Sequence, residues 1–324
     1  MKAFVTGGTG FIGSHLVDAL IASQAYTEIR CLVRSSDKWL TGKDFKKVSG
    51  DLNNIQAITE GIDGVDVIFH LAAIVKAPTQ KEFTIANVEA TENLIRVAQR
   101  KGVQNIVLLS SLAAVGPSFG DPVDESDDFN PISMYGRSKV AMERMTHKIA
   151  SPNDSIKIIR PPAVYGPRED QIYTFFKTYS KGICTMVGDG NHPRLSMVYV
   201  SDLVDGILKA AQKNDTGVHT YFISGADTYN WNQISAITGR VMGKKALKIK
   251  LKPSMVKKLA AVIENTASLI GKYPVVNKEK ANELVMEWTC SSTKAINELG
   301  YSPKVSIEEG ISKTIHWYKK HNWL

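Results

Sequence analysis

Short apolar runs alternate with longer stretches of helical period through the first half of the chain. Residues 2–6, 28–33, 46–48, 65–70, 105–110 and 156–160 read as strands. Between them, 11–22, 53–60, 82–101 and 135–150 carry apolar residues at helical spacing, with Ile12, Leu16, Ala19 and Leu20 on one face of the first. Strands alternating with such helices form βαβ units and hence a parallel sheet. Right-handed crossovers put helices on both faces, so the expected fold class is α/β with a doubly wound parallel sheet. Beyond Tyr165 the pattern loosens. A helix near 172–180 and a Gly-Asp-Gly turn at 188–190 come first. A strand over 195–200 then feeds a helix capped by Ser201 or Asp202, and a further strand covers 220–224. The remainder is mainly helical. The expected division is a larger unit, 1–165 plus a return segment at about 196–224, and a smaller C-terminal unit from about 166–195 and 225–324.

Composition narrows the class. The chain has 324 residues, room for about two domains, and its 43% apolar content excludes intrinsic disorder and collagen. Forty basic against 32 acidic residues leave +8, which favours anionic partners. Cys31, Cys184 and Cys290 lie far apart with no Cys/His spacing, so neither a disulfide scaffold nor a metal site is expected. The opening residues run straight into a strand without a basic and apolar leader. No run of about 18 apolar residues occurs. A cytoplasmic chain without a membrane span is the expectation.

The first strand ends in Thr6-Gly7-Gly8-Thr9-Gly10-Phe11-Ile12-Gly13, and the first helix opens there. Glycines at 7, 10 and 13 allow a tight turn, close approach of a pyrophosphate and packing of helix on sheet. The helix N-terminus offers N–H groups and partial positive charge to phosphates. The fold is thus expected to be Rossmann-type, with a dinucleotide-binding larger domain and a smaller substrate domain. An acid ending the second strand would grip the adenosine ribose of NAD. Here Val33 is followed by Arg34-Ser35-Ser36, and a guanidinium in that place suits the 2′-phosphate of NADP. NADP is therefore the expected cofactor, with NAD the alternative.

A second motif, Tyr135-Gly136-Arg137-Ser138-Lys139, lies on a predicted helix. Tyrosine and lysine four residues apart share a helix face. The Lys139 ammonium would stabilise the Tyr135 phenolate, lowering a pKa that is near 10 in model peptides, so that Tyr135 exchanges protons with a substrate oxygen. With the glycine turn, this motif resembles the extended short-chain dehydrogenase/reductase family. The similarity is to the group described as NAD-dependent epimerase/dehydratase, which includes dihydroflavonol-reductase-like enzymes. Gly50-Asp51-Leu52, His70-Leu71-Ala72-Ala73, Asn87 to Thr91, Ser110-Ser111, Arg160-Pro161 through Val164 to Pro167, and Leu299 to Pro303 also match, in order.

The resemblance implies a catalytic set of Ser111, Tyr135 and Lys139. It implies a cofactor set of Gly7, Gly10, Phe11, Ile12, Arg34, Asp51, Leu52, Leu71, Ala72, Ala73, Asn87, Ser110, Tyr135, Lys139, Pro161 and Val164. Many relatives place the catalytic Ser or Thr three residues before a Val-Tyr-Gly-like segment. Against Val115 that position is Leu112, so the role goes to Ser111, with Ser110 second and Ser118 outside. Sugar-nucleotide dehydratases of the family carry an Asp-Glu pair after that residue. Ser111-Leu112-Ala113 has neither carboxylate, which disfavours dehydration.

The expected activity is hydride transfer between NADP(H) and a carbonyl or secondary alcohol of a small molecule. The alternatives are a nucleotide-sugar epimerase with recycled NAD and a non-catalytic NADPH-binding assembly protein. Ser118, Phe119, Tyr165, Arg168, His192 and Arg194 are the substrate-side candidates. The two arginines, flanking a cleft, favour an anionic ligand such as a nucleotide sugar. Extended relatives often dimerise through the helices at 82–101 and 135–150, and Val88, Ile95, Val97, Val140, Met145 and Ile149 supply apolar positions for a homodimer. Seven lysines without an acid span 244–258 and read as a solvated face, with no aromatic interleaving for nucleic acid. Met255, Leu259, Val262, Ile263 and Ile270 read as core packing or a lid.

Overall fold

The computed structural model describes residues 1–269 and 278–324, with side chains described outside 264–277. The chain opens β1 (Lys2–Thr6), α1 (Phe11–Ser23), β2 (Glu28–Val33), β3 (Lys46–Ser49), α2 (Ile55–Ile62), β4 (Val67–His70) and α3 (Gln80–Phe83). A π-helical segment, Thr84–Glu89, leads into α4 (Ala90–Lys101), followed by β5 (Asn105–Leu109), α5 (Met134–Ile149), β6 (Ser155–Arg160) and β7 (Ala163–Tyr165). Next come α6 (Tyr173–Ser180), β8 (Ile183–Val187), β9 (Arg194–Tyr199), α7 (Val200–Gln212), β10 (Gly217–Phe222), β11 (Thr228–Asn230) and α8 (Trp231–Met242). β12 (Leu247–Leu251), α9 (Pro253–Leu269), α10 (Lys278–Leu284), α11 (Thr293–Leu299) and α12 (Ile307–Lys320) complete the order.

Seven parallel strands form the central sheet in the order β10-β6-β5-β4-β1-β2-β3. Successive strand residues point to opposite faces, so each strand feeds two cores. Ala3, Val5, Val67, Phe69 and Val107 join Leu16, Val17 and Leu20 of α1 and Leu203 and Ile207 of α7 in one. Phe4, Ile68, Ile106 and Leu108 join Ile58 of α2 and Leu94 and Ile95 of α4 in the other. Burial on both faces is why these runs are apolar throughout rather than alternating. The Rossmann-type doubly wound sheet expected from the sequence is the observed one. The chain returns from β3 across β1 to β4, and this reversal leaves a crevice at the carboxyl ends of β1 and β4.

The later segments depart from expectation in instructive ways. The strand expected at 195–200 is β9, but it pairs with β7 and β11 in a separate three-stranded sheet. The one expected at 220–224 is β10, starting earlier and adding to β6 as the edge of the main sheet. Neither Ser201 nor Asp202 caps α7; Tyr199 occupies that position without a side-chain bond. Asp202 instead accepts from the backbone N–H groups of Lys304 and Val305 at 3.1 and 3.0 Å, tying down the C-terminal segment. Met255, Leu259 and Val262 do not enter the core, where Val256 and Ala260 of the same helix pack; Ile270 lies outside the described residues. The apolar positions that suggested a dimer are taken up within the chain: Val88, Ile95, Val97 and Val140 are buried, and Met145 and Ile149 pack on the second core. No helix among the described residues is long and apolar enough to cross a membrane.

The turn after β1 is the tightest junction. Gly7 has φ +74°, and a Cβ there would lie 2.6 Å from the Ala72 backbone nitrogen. A Cβ on Gly13 would lie 2.1 Å from the Gly7 carbonyl oxygen. Gly13→Ala is therefore expected to force helix and turn apart, lowering stability by about 1–3 kcal/mol or more in denaturant unfolding.

Candidate active site

The carboxyl ends of the strands β1 to β6 and the starts of α1 and α5 build the site. α1 begins at Gly10 with no side-chain cap and no acid in its first turn, which leaves its N–H groups for an anion. Glycines at 7 and 13 leave no room for a Cβ between this turn, the Leu71–Ala72 backbone and the helix. The residues present thus fit a dinucleotide pyrophosphate. Phe11 and Ile12 are half-buried on the same turn, and Leu71, Ala72 and Ala73 pass from buried to exposed as they leave β4 beside it.

Asn87 is buried in the middle of the π-helical segment, and its amide works as a clamp. Its oxygen accepts from the Ile74 N–H at 2.9 Å, and its nitrogen donates to the Ile74 carbonyl and to Ser138 Oγ, both at 3.0 Å. It joins the loop after β4 to α5. Asp51 and Leu52 follow β3, where Asp51 Oδ1 accepts from the Asn53 N–H at 2.9 Å and Leu52 packs on the second core. Arg34 stands exposed just beyond β2, followed by exposed Ser35 and Ser36. The nearest acid, Asp37, is engaged by Lys47 at 2.8 Å. Pro161 is buried after β6 with its carbonyl accepting from Leu112 N–H at 2.9 Å, and Val164 lies half-buried on β7.

The serine pair divides its work. Ser110 is buried and donates to the Glu143 carboxylate, which also takes three hydrogen bonds from Arg160, the shortest at 2.7 Å. Ser111, one residue on, turns the other way. Its Oγ accepts from the Ala113 N–H at 3.1 Å and lies beside the Tyr135 phenol. Gly136 makes this meeting geometrically feasible, since a Cβ there would lie 2.3 Å from the Ala113 carbonyl oxygen. Ser133 starts α5 by accepting from the Gly136 N–H at 3.3 Å. Lys139, one turn after Tyr135, is buried with Nζ 5.8 Å from the tyrosine ring centroid. Its ammonium donates to the Leu109 carbonyl at 2.7 Å.

The electrostatics differ from the sequence expectation. Burial pushes the Tyr135 phenol up to about 12, partly offset by the Ser111 hydroxyl and reinforced by Glu283. Burial likewise pulls Lys139 down to about 8 against the Glu143 carboxylate. The Lys139 ammonium makes its hydrogen bond to the Leu109 carbonyl and none to the phenol.

The substrate-side candidates are mostly engaged elsewhere. Arg168 pairs with Asp18 at 2.8 Å and lies over the Trp39 ring. Arg194 and His192 both bond Glu287, at 3.1 and 2.7 Å. Asp18, which Lys43 shares, and Glu287 thus engage the two arginines that suggested an anionic ligand. Ser118 is buried against Thr289 at 2.8 Å and Tyr165 lies in a core with Tyr199, whereas Phe119 is exposed. Sequence reasoning passed over Glu143, although it stands four residues after Lys139, and also Glu279 and Glu283 on α10. Glu279 accepts from the Met134 N–H at 3.0 Å and pairs with Arg137.

This chain belongs to the NAD dependent epimerase/dehydratase family, whose model matches residues 3–230. It is 29% identical to a ceramide reductase of Caulobacter vibrioides over 99% of this chain and 95% of that protein. It is 28% identical to a putative dihydroflavonol 4-reductase of a Synechocystis strain over 99% and 95% of the two chains. The solved structure of MoeE5 with UDP-glucuronic acid and NAD superposes with a TM-score of 0.80 over 99% of this chain and all of that one; at 23% identity this likeness is one of fold.

His70 is enclosed between the Thr6 and Thr91 hydroxyls at 2.7 and 2.9 Å, and burial, with Lys139 nearby, pushes its imidazole down to about 3. Burial takes His15 down to about 4. Both imidazoles are neutral when folded and titrate near 6.5 when unfolded, so their stability contribution is complete above that pH and is lost as pH falls. Between pH 7 and pH 5 each is expected to remove about 2 kcal/mol. Denaturant unfolding of His70→Gln at the two pH values should show a fall smaller by about that amount.

Proposed function

We propose that the chain is an oxidoreductase transferring hydride between NADP(H) and a carbonyl or secondary alcohol. The observation that carries this reading is the meeting of Ser111, Tyr135 and Lys139 beside a glycine turn shaped for a pyrophosphate. A bound nicotinamide would supply or take up the hydride. In the reductive direction Tyr135 gives its proton to the substrate oxygen, which a hydrogen bond from Ser111 holds in place. Lys139, released from the Leu109 carbonyl toward the phenol and the nicotinamide ribose, stabilises the phenolate until solvent returns the proton. The carbonyl carbon gains the hydride and its oxygen the tyrosine proton, so the product is the alcohol. Asn87 and Ser110 act as positioning groups, through the clamp on α5 and the bond to Glu143. The name of the ceramide relative supports the reductive direction.

NADP is assigned on Arg34, exposed where a 2′-phosphate would stand and accompanied by Ser35 and Ser36. A second reading, epimerisation of a nucleotide sugar with NAD recycled in place, needs the same three groups. MoeE5, which holds such a pair of ligands, favours it. The carboxylates already occupying Arg168 and Arg194 weigh against an anionic ligand at those positions.

Incubation of the purified chain with NADPH and a panel of ketones, aldehydes and nucleotide sugars separates the readings. Stoichiometric NADPH oxidation is expected, and Tyr135→Phe should lower kcat by about 10²–10⁴ while cofactor binding persists. Tight cofactor binding with isomerised nucleotide sugar and no net oxidation would replace the reductase by the epimerase. In cofactor titrations NADPH should bind about 10- to 150-fold more tightly than NADH, and Arg34→Asp should reverse that order.

A further inference from the structure

Twelve large hydrophobic side chains are exposed among the described residues, and six of them share one corner: Ile183, Leu247, Ile249, Met255, Leu259 and Val262. β8 and β12 form a two-stranded parallel sheet in which Ile183 stands beside Leu247 and Thr185 beside Ile249. In-register neighbours share a face, so these side chains make one open surface. At its far end Val187 and Leu251 pass beneath α9, where they pack with Val256 and Ala260. On α9 the residues at 255, 259 and 262 fall on one stripe, adjacent to the buried one. Their exposures are 54, 57 and 59%.

The charge around this surface is of one sign. All seven lysines between 244 and 258 are exposed, no acid interrupts them, and among the described residues none pairs with a carboxylate. Lys258 flanks the stripe on α9, whereas Lys248 and Lys250 alternate with the apolar residues of β12 and so lie on the other side of that strand. A soluble chain gains nothing from exposing apolar side chains amid unpaired cations.

We propose that the β8–β12 face and the outer stripe of α9 dock on the surface of an anionic phospholipid bilayer. The apolar side chains enter the boundary between headgroups and acyl chains, and the lysines meet the phosphates with their alkyl stems along the apolar surface. The site lies one helix away. Ala281 of α10 packs against Val256 and Ala260, and Glu279 of α10 accepts from the Met134 N–H beside Tyr135. Docking therefore brings the cleft to the headgroup region and opens it to carbonyls or alcohols of membrane-borne amphiphiles. That extension rests on the reductase reading; vesicle binding does not.

The test is co-sedimentation of the full chain with phosphatidylcholine vesicles, with and without about a third phosphatidylglycerol, in the absence of cofactor. Binding to the anionic vesicles alone is expected, weakening as salt rises from about 0.1 to 0.5 M. Each lysine near such a surface is worth about fivefold in partitioning, so Lys258→Glu should reduce binding by at least about fivefold. Met255→Ser with Leu259→Ser should reduce it by about tenfold or more. The lysine variant alters only an exposed side chain, so it keeps the test open if the apolar variant fails to fold. No sedimentation with anionic vesicles, or sedimentation that neither variant changes, overturns the proposal. A dimer by light scattering that the apolar variant converts to monomer would assign the face to a second copy of the chain and overturn it as well. NADPH oxidation assays fail or succeed independently of either result.

Discussion

A parallel sheet sealed on both faces leaves its interior no place for exposed polar chemistry, and this constraint organises the whole molecule. β1, β4 and β5 are buried along nearly their full length. Their polar side chains collect where the strands stop: Thr6 and His70 together, then Ser110 and Ser111. The helices that follow approach these ends closely because glycine replaces any larger residue at the points of contact. The polar groups meet because the apolar ones fill the sheet.

Those meeting groups form two connected layers beneath the cleft. Glu143 lies one turn beyond Lys139 on α5 and takes hydrogen bonds from both Ser110 and Arg160. Arg160 also lies over the Phe129 and Phe222 rings. A buried carboxylate with a charged partner is costly to assemble and more costly to break, so it fixes geometry more than it adds stability. Here it fixes the strand end that carries Ser110 against the helix that carries Tyr135 and Lys139. Ser111 is thereby left facing the phenol, while its neighbour is spent on structure.

The sheet was readable from sequence because double-sided burial writes continuous apolar runs, and the glycine turn because only glycine satisfies its spacing. Tyr135 and Lys139 stand out in the sequence as a local motif, whereas Ser111 is taken against a register that points to Leu112, and the resting electrostatics of the three are not legible. The Tyr135 phenol rises because of burial that three-dimensional packing imposes, and Lys139 finds a carbonyl that no local pattern specifies. The ion pairs of Arg168 and Arg194 escaped the sequence for a related reason. Their partners, Asp18 and Glu287, stand far away in the chain. The alternation of Leu247, Ile249 and Leu251 with lysines was visible, but the density of charge masked its strand period. Glu279 and Glu283 reach the site only through the packing of α10, which leaves no trace in local spacing.

The π-helical segment at Thr84–Glu89 ties chain length to the placement of one amide. A π turn holds one residue more than an α turn, and successive residues on an α-helix are set about 100° apart. Removing one residue from this segment would let it relax to ordinary helix and swing Asn87 off the Ile74 backbone it grips with both ends of its amide. Substitutions at Ile85, which is exposed, would leave that grip alone. The spacing between β4 and α4 is thus a measured length, tolerant of change at its exposed positions and intolerant of a change in count.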